Sequence, residues 1–200
     1  RRMHAATQLD YEDWRKSHQP FHWLAEFYQI IKGNGGFDVI IGNPPYVTFT
    51  DASLKYNVRQ YSTYNTKNLF ALCGERFTSL VCNNASIGYI IPLSGMSIDG
   101  FESLQNIIYS NCHSWNSYYS GDRNPSELFT GVKIRAGIYI SRHQKGNGRK
   151  YVGRYIKYSA AERGILFSKI NYVEIKDYIS APKVPTTIGY SILQKIRGMN

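Results

Sequence analysis

The chain has 200 residues, 42% of them hydrophobic and 19% charged, which is the composition of one globular domain with a core of its own rather than of a disordered segment. No apolar run approaches the roughly 18 residues that a membrane-spanning helix needs. Lys and Arg number 24 against 14 Asp and Glu, a formal charge of +10, and this surplus favours a polyanionic partner, most simply nucleic acid.

The basic residues crowd toward the C-terminal part, at Arg123, Lys133, Arg135, Arg142, Lys145, Arg149, Lys150, Arg154 and Lys157. A solvated basic surface is the plainer reading of the same charges. The three cysteines, Cys73, Cys82 and Cys112, form neither a CxxC pair nor a disulfide framework, which points to a reducing, cytosolic setting. The five histidines lack ligand-like spacing, so no metal is expected. The opening Arg1-Arg2-Met3 is read as a cut within a longer polypeptide.

In chain order, a first helix is expected around residues 11–16, followed by a mixed apolar stretch over 21–31 and a turn at Gly33-Asn34-Gly35-Gly36. Phe37-Asp38-Val39-Ile40-Ile41, a short apolar run bounded by glycines, predicts a buried parallel strand. It runs into Gly42-Asn43-Pro44-Pro45-Tyr46, where two prolines cannot continue a sheet ladder and the chain must leave as a loop. Residues 47–66 are polar and rich in tyrosine, without a period. Leu69, Leu72, Cys73, Phe77 and Leu80 mark one face of a helix over 68–80. Residues 87–92 predict a second buried strand, and Phe101, Leu104, Ile107 and Ile108 another helix. Residues 115–120, 134–141 and 151–158 read as three further strands, with a turn at 145–148. Residues 181–187 read as a Pro/Thr linker, and 188–196 as the start of a new helix.

Strands and helices in this order predict an α/β fold. In open α/β sheets ligands sit beyond the carboxyl ends of the strands, which is where residues 43–46 fall. The prolines stiffen that loop and leave their carbonyls as acceptors without competing N–H groups, Asn43 adds an amide oxygen, and Tyr46 adds an aromatic face. A rigid acceptor pair beside a ring suits an aromatic amino group. Its two N–H bonds can point at the Asn43 oxygen and the Pro44 carbonyl, which favours a tetrahedral nitrogen with a localised lone pair. Holding that nitrogen against an electrophilic methyl supplies the rest, and no covalent enzyme intermediate is needed.

Phe37-Asp38-Val39-Ile40-Ile41-Gly42-Asn43-Pro44-Pro45-Tyr46 resembles the catalytic motif of amino-group methyltransferases, especially the adenine-N6 DNA methyltransferases of fused restriction–modification and phage-defence systems. The phrase over residues 21–27 before it, Asn68-Leu69-Phe70 after it, the strand at 87–92, and the segment Leu128-Phe129-Thr130-Gly131-Val132-Lys133-Ile134 are similar to neighbouring parts of the same family. The resemblance implies the C-terminal half of a Rossmann-like sheet, with parallel strands plus an antiparallel hairpin, in a prokaryotic, cytoplasmic enzyme. It implies S-adenosyl-L-methionine as cofactor, with Asn43, Pro45, Leu69 and Phe70 toward it, and Asn43, Pro44, Pro45 and Tyr46 as the catalytic residues. A target adenine flipped out of double-stranded DNA would stack on Tyr46 and Phe129. Lys55, Arg59 and Lys133 are candidate DNA contacts.

By the same resemblance the glycine-rich cofactor loop belongs upstream, because Gly33-Asn34-Gly35-Gly36 precedes a strand where a nucleotide-binding loop follows one. Residues 1–182 are thus read as a partial catalytic domain and 183–200 as a linker with the start of a target-recognition region. A missing N-terminal half and a fused or separate nuclease are the implied partners. Glu174-Ile175-Lys176 matches only the tail of a nuclease metal motif. Other amino acceptors stay open, namely cytosine-N4, guanine in RNA and a protein glutamine, as does a non-catalytic DNA-binding remnant.

Overall fold

The computed structural model describes residues 8–19, 22–54, 57–121, 128, 133–144, 146, 148–176, 180–184 and 186–198. Helices α1 (Gln8–His18) and α2 (Trp23–Glu26) and a π-helical turn (Gln29–Gly33) lead into strand β1 (Phe37–Gly42). There follow α3 (Leu69–Leu80), β2 (Val81–Pro92), α4 (Leu93–Ser97), α5 (Glu102–Ile108), β3 (Cys112–Tyr119), β4 (Ala136–His143), β5 (Lys150–Ile156), β6 (Val173–Ile175) and α6 (Thr187–Arg197). The six strands form one mixed sheet in the order β1-β2-β4-β3-β5-β6. β1 runs parallel to β2 and β3 parallel to β5, whereas β4 is antiparallel to both its neighbours and β6 to β5. The expected α/β fold, with parallel strands and an antiparallel hairpin, is what the chain adopts.

The period-two alternation of β2 sorts the sheet into two unlike faces. Ile87, Tyr89 and Ile91 point to one side and are buried with Tyr139 of β4 and Tyr118 of β3. Helices α3, α4 and α5 cover that side with Phe70, Met96, Leu104 and Ile108. Tyrosines serve here as core residues whose hydroxyls find carbonyls: Tyr118 donates to the Ala181 oxygen at 3.0 Å and Tyr139 to that of Ile108. A smaller cluster of Tyr119, Ile156, Tyr158 and Leu166 closes the far end of β3 and β5.

The opposite face is open near β1. Ile41 is 83% exposed, Val39 57% and Phe167 69%. This corrects the expectation of a buried strand at 37–41. β1 has the predicted parallel partner, but it is the edge of the sheet, and among the described residues no layer covers its second face. An apolar run bounded by glycines reads identically in both situations.

A further correction concerns the C-terminal part. The stretch read as a linker packs instead: Ala181 and Val184 are buried in the main core, Ala181 N–H donates to the Met96 carbonyl at 3.0 Å, and Tyr190 of α6 joins the same cluster. Between β5 and β6 the chain forms two 3-10 turns (Ala160–Ile165 and Phe167–Lys169). The turn expected at 145–148 lies partly outside the described residues.

At the start of β1, Gly36 holds φ +136°, and a Cβ there would stand 2.5 Å from the Val81 carbonyl carbon. Only glycine lets the turn approach the first residue of β2 this closely.

Candidate active site

The motif begins where β1 ends. Gly42 is registered against Tyr89 of β2, and Asn43 leaves the carboxyl end of the strand. Asn43 and Pro45 are exposed, Pro44 is buried and Tyr46 is half-buried. The alternation follows from the proline pair, which fixes the backbone so that one ring wedges inward while its neighbour faces out.

Tyr46 is anchored on two sides. Its ring meets Phe70 edge-on, with centroids 6.5 Å apart and planes at 89°, and its hydroxyl donates to the Ile90 carbonyl at 3.0 Å. Burial pushes the phenol up to about 12, so it stays protonated through the physiological range. Phe70 is fully buried and stacks on Phe101 at 5.4 Å, so it backs Tyr46 rather than facing a ligand. Leu69 is half-buried at the first position of α3.

The exit from the motif is sewn to the start of α3. Phe49 N–H donates to the Lys67 carbonyl and Leu69 N–H to the Val47 carbonyl, both at 2.9 Å, around a bridge between Thr48 and Asn68. Asn68, at the N-cap position of α3, uses its amide to reach the Thr66 carbonyl at 2.5 Å instead of capping the helix. Between these ends the polar segment loops out and is gathered by Asp51, whose carboxylate accepts from Arg59 at 3.0 Å, Lys67 at 2.8 Å and the Tyr64 hydroxyl at 2.5 Å. Lys67 and Tyr64 hold the Asp51 carboxyl down at about 2. The Lys67 ammonium also sits 3.6 Å from the Tyr64 ring centroid.

Arg59, expected to face DNA, is therefore exposed but already paired with Asp51. Lys133 is exposed just ahead of β4. Lys55 and Phe129 lie outside the described residues, although Leu128 beside Phe129 packs on the smaller core cluster. Glu174 of the weak nuclease motif stands 3.9 Å from Arg149, and among the described residues no three His, Cys, Asp or Glu side chains gather as a metal site.

Two features escaped the sequence. On the open face of the sheet, Ile41, Gly42, Asn43, Gly88, Ile90 and Ile140 border an apolar groove of about 550 Å³, so Asn43 stands at the polar end of a hydrophobic trough. Its only sequence signal was the apolar run Val39-Ile40-Ile41 of β1. The second is Glu75 on α3, which accepts from the Ser62 and Thr63 amides and from the Thr63 hydroxyl. A single glutamate on a helix carries no mark of such a role.

This geometry has relatives. The chain is 38% identical over 122 residues to a candidate type II restriction enzyme and methyltransferase of Methanocaldococcus jannaschii, a match covering 61% of this chain and 10% of that protein. Its fold is similar to that in the cryoEM structure of a DrdV–DNA complex, with a TM-score of 0.55 and 15% identity over 74% of this chain and 18% of the other. It is similar again to a nuclease-deletion mutant of the Type ISP restriction-modification enzyme LlaGI in complex with a DNA substrate mimic, with a TM-score of 0.57 and 14% identity over 82% of this chain and 20% of that one. The chain thus spans about a tenth of the length of the curated relative and at most a fifth of these two structures. Residues 2–124, more than half of the chain, match the Eco57I restriction-modification methylase family, and the chain belongs to that family.

Proposed function

We propose that this chain is the catalytic half of a DNA methyltransferase of a restriction–modification or phage-defence system, transferring a methyl to the N6 amino group of a flipped-out adenine. One observation carries the reading: at the carboxyl end of a parallel strand, an exposed Asn43 and a stiff proline pair stand next to a tyrosine anchored through Ile90 and Phe70. Asn43 Oδ1 and the Pro44 carbonyl accept the two amino hydrogens and direct the nitrogen lone pair outward. Tyr46, neutral and fixed, offers its ring to the extruded base and offsets part of the unstacking cost of a few kcal/mol. Phe129 would join it. Lys133, Arg59 and Lys55 are the basic side chains assigned to the phosphates.

The methyl donor, S-adenosyl-L-methionine, supplies an electrophilic methyl when bound. The residues present fit its reacting end: Asn43 and Pro45 are exposed, the half-buried Leu69 is bonded through its amide to Val47 just past the motif, and Asn43 lines the apolar groove. Phe70 would contribute from beneath, through Tyr46. The residues that would hold the ribose and the adenine of the donor are assigned to a segment upstream, which also fits the uncovered face of β1.

The test is methyl transfer by the complete polypeptide that carries this chain, with isotopically labelled donor and duplex DNA. N6-methyladenine should form, and Asn43→Ala should lower the rate about 100-fold or more, the range for removing one preorganised acceptor or donor. N4-methylcytosine as product, a methylated RNA or protein, or near-normal activity of the Asn43→Ala variant would overturn the reading. The formal charge of +10, which suits a polyanionic partner whether or not a cofactor is bound, favours one rival, a DNA-binding remnant without its cofactor. Tight DNA binding without methyl transfer or donor binding in the complete polypeptide would establish it.

A further inference from the structure

The segment between Tyr46 and α3 is polar, and among its described residues the regular structure is one 3-10 turn (Tyr64–Thr66), yet it is pinned at three points. Its ends are joined by the Thr48–Asn68 bridge, and its outer part is gathered on Asp51. The third pin is Glu75. From the middle of α3, Oε1 accepts the Ser62 amide at 3.0 Å, and Oε2 accepts the Thr63 amide at 2.9 Å and the Thr63 hydroxyl at 2.8 Å.

The three pins are unequal. The cations around Asp51 are exposed, and exchanging them for water costs little. Thr63 is wholly buried, so its amide and hydroxyl have no water to turn to if the carboxylate is lost. A carboxylate also matches the need, because two oxygens side by side accept from two consecutive amides while a hydroxyl adds a third bond. Held in this way, residues 62–67 run back along α3 from Glu75 to Asn68. There the Lys67 and Leu69 backbone bonds transmit their position to residues 47–49, where the chain leaves the motif.

We propose that Glu75 is a positioning residue for the candidate site, fixing residues 62–67 against α3 so that Lys67 and the backbone leaving Tyr46 are presented to the DNA strand bearing the target base. The proposal rests on the reading of the chain as a DNA methyltransferase. Glu75 touches no reacting atom. Tyr46 keeps its own anchors at Ile90 and Phe70, so loss of Glu75 loosens the DNA-facing wall and leaves the motif in place.

The experiment compares Glu75→Ala, Glu75→Gln and Thr63→Val with wild type in the complete polypeptide, by steady-state kinetics and amide hydrogen exchange. Glu75→Ala should speed exchange at residues 62 and 63 and raise the KM for DNA about tenfold, the equivalent of re-ordering about one residue on binding. The KM for the methyl donor and kcat should change little. Glu75→Gln, which keeps one acceptor oxygen, and Thr63→Val, which loses one bond, should fall between, and they carry the test if Glu75→Ala does not fold. Fast exchange with an unchanged KM for DNA, or a fall confined to kcat, overturns the proposal. An inactive wild type would sink the methyltransferase reading instead. Glu75 is then judged by duplex affinity in fluorescence anisotropy, where an alanine variant that binds no more weakly than wild type overturns it.

Discussion

The Tyr46 hydroxyl donates to the Ile90 carbonyl at 3.0 Å, which ties the last residue of the motif to the neighbouring strand two residues before β2 ends. The ring and the hydroxyl therefore have separable duties. Tyr46→Phe should cost about 0.5–1.5 kcal/mol of stability, the net worth of one hydrogen bond, and retain much of the methyl transfer. Tyr46→Ala should remove transfer together with the stacking surface. Urea unfolding and single-turnover kinetics on both variants check this. Since the phenol is held at about 12, the pH–rate profile of Tyr46→Phe should match that of wild type between pH 6 and about 10.

The two faces of the sheet predict opposite responses to substitution. Ile41→Thr, on the open side, should shift the stability of this chain by no more than about 0.5 kcal/mol and lessen its self-association. Leu104→Ala, on the covered side where the residue is wholly buried, should cost about 2–5 kcal/mol. Chemical denaturation and light scattering on the 200-residue chain provide the measurement. Comparable losses from both would mean that the open face is covered.

Gly36→Ala should destabilise by about 1–3 kcal/mol through backbone strain alone, before the added methyl meets the Val81 backbone. Gly35, with φ +77° but open space around its Cβ position, should tolerate Asn far better. Thermal unfolding of the two variants side by side checks the difference.

Lys150 gives a pH dependence of defined sign. Burial brings its ammonium down to about 8, although the ammonium lies 4.0 Å from the Tyr109 ring centroid. Below that value the folded and unfolded chains both carry the proton, and the burial penalty is fully present. Between about 8 and the free-lysine value near 10.4, the unfolded chain binds more protons, so this group's contribution rises with pH. The stability difference between wild type and Lys150→Met should therefore move in favour of wild type by about 1 kcal/mol across that window, after discounting for partial exposure. The neighbouring Tyr109 phenol, raised by burial, is common to the two proteins, whereas the Cys112 thiol, also raised by burial, is drawn lower by the Lys150 charge, which moves the difference in the same direction. A flat difference curve from equilibrium denaturation would contradict it.

The sequence by itself determined the local elements and the place of the candidate motif. Apolar residues at helical spacing made α3 one helix, β-branched runs bounded by glycines and prolines made β1 and β2, and the proline pair at 44–45 ended β1 and put Asn43 at a strand's carboxyl end. These features are written in short-range sterics and periodicity, which act within a few residues. Tertiary structure decided what no window could hold: that β1 is an edge with Ile41 exposed, that Phe70 lies under Tyr46 rather than on a surface, that Ala181 and Val184 are core, and that Glu75 clasps residues twelve and thirteen positions earlier. An apolar strand looks the same with one neighbour or two, and a glutamate on a helix looks the same in water or on a buried amide. Only the packed chain brings the distant partner that distinguishes them.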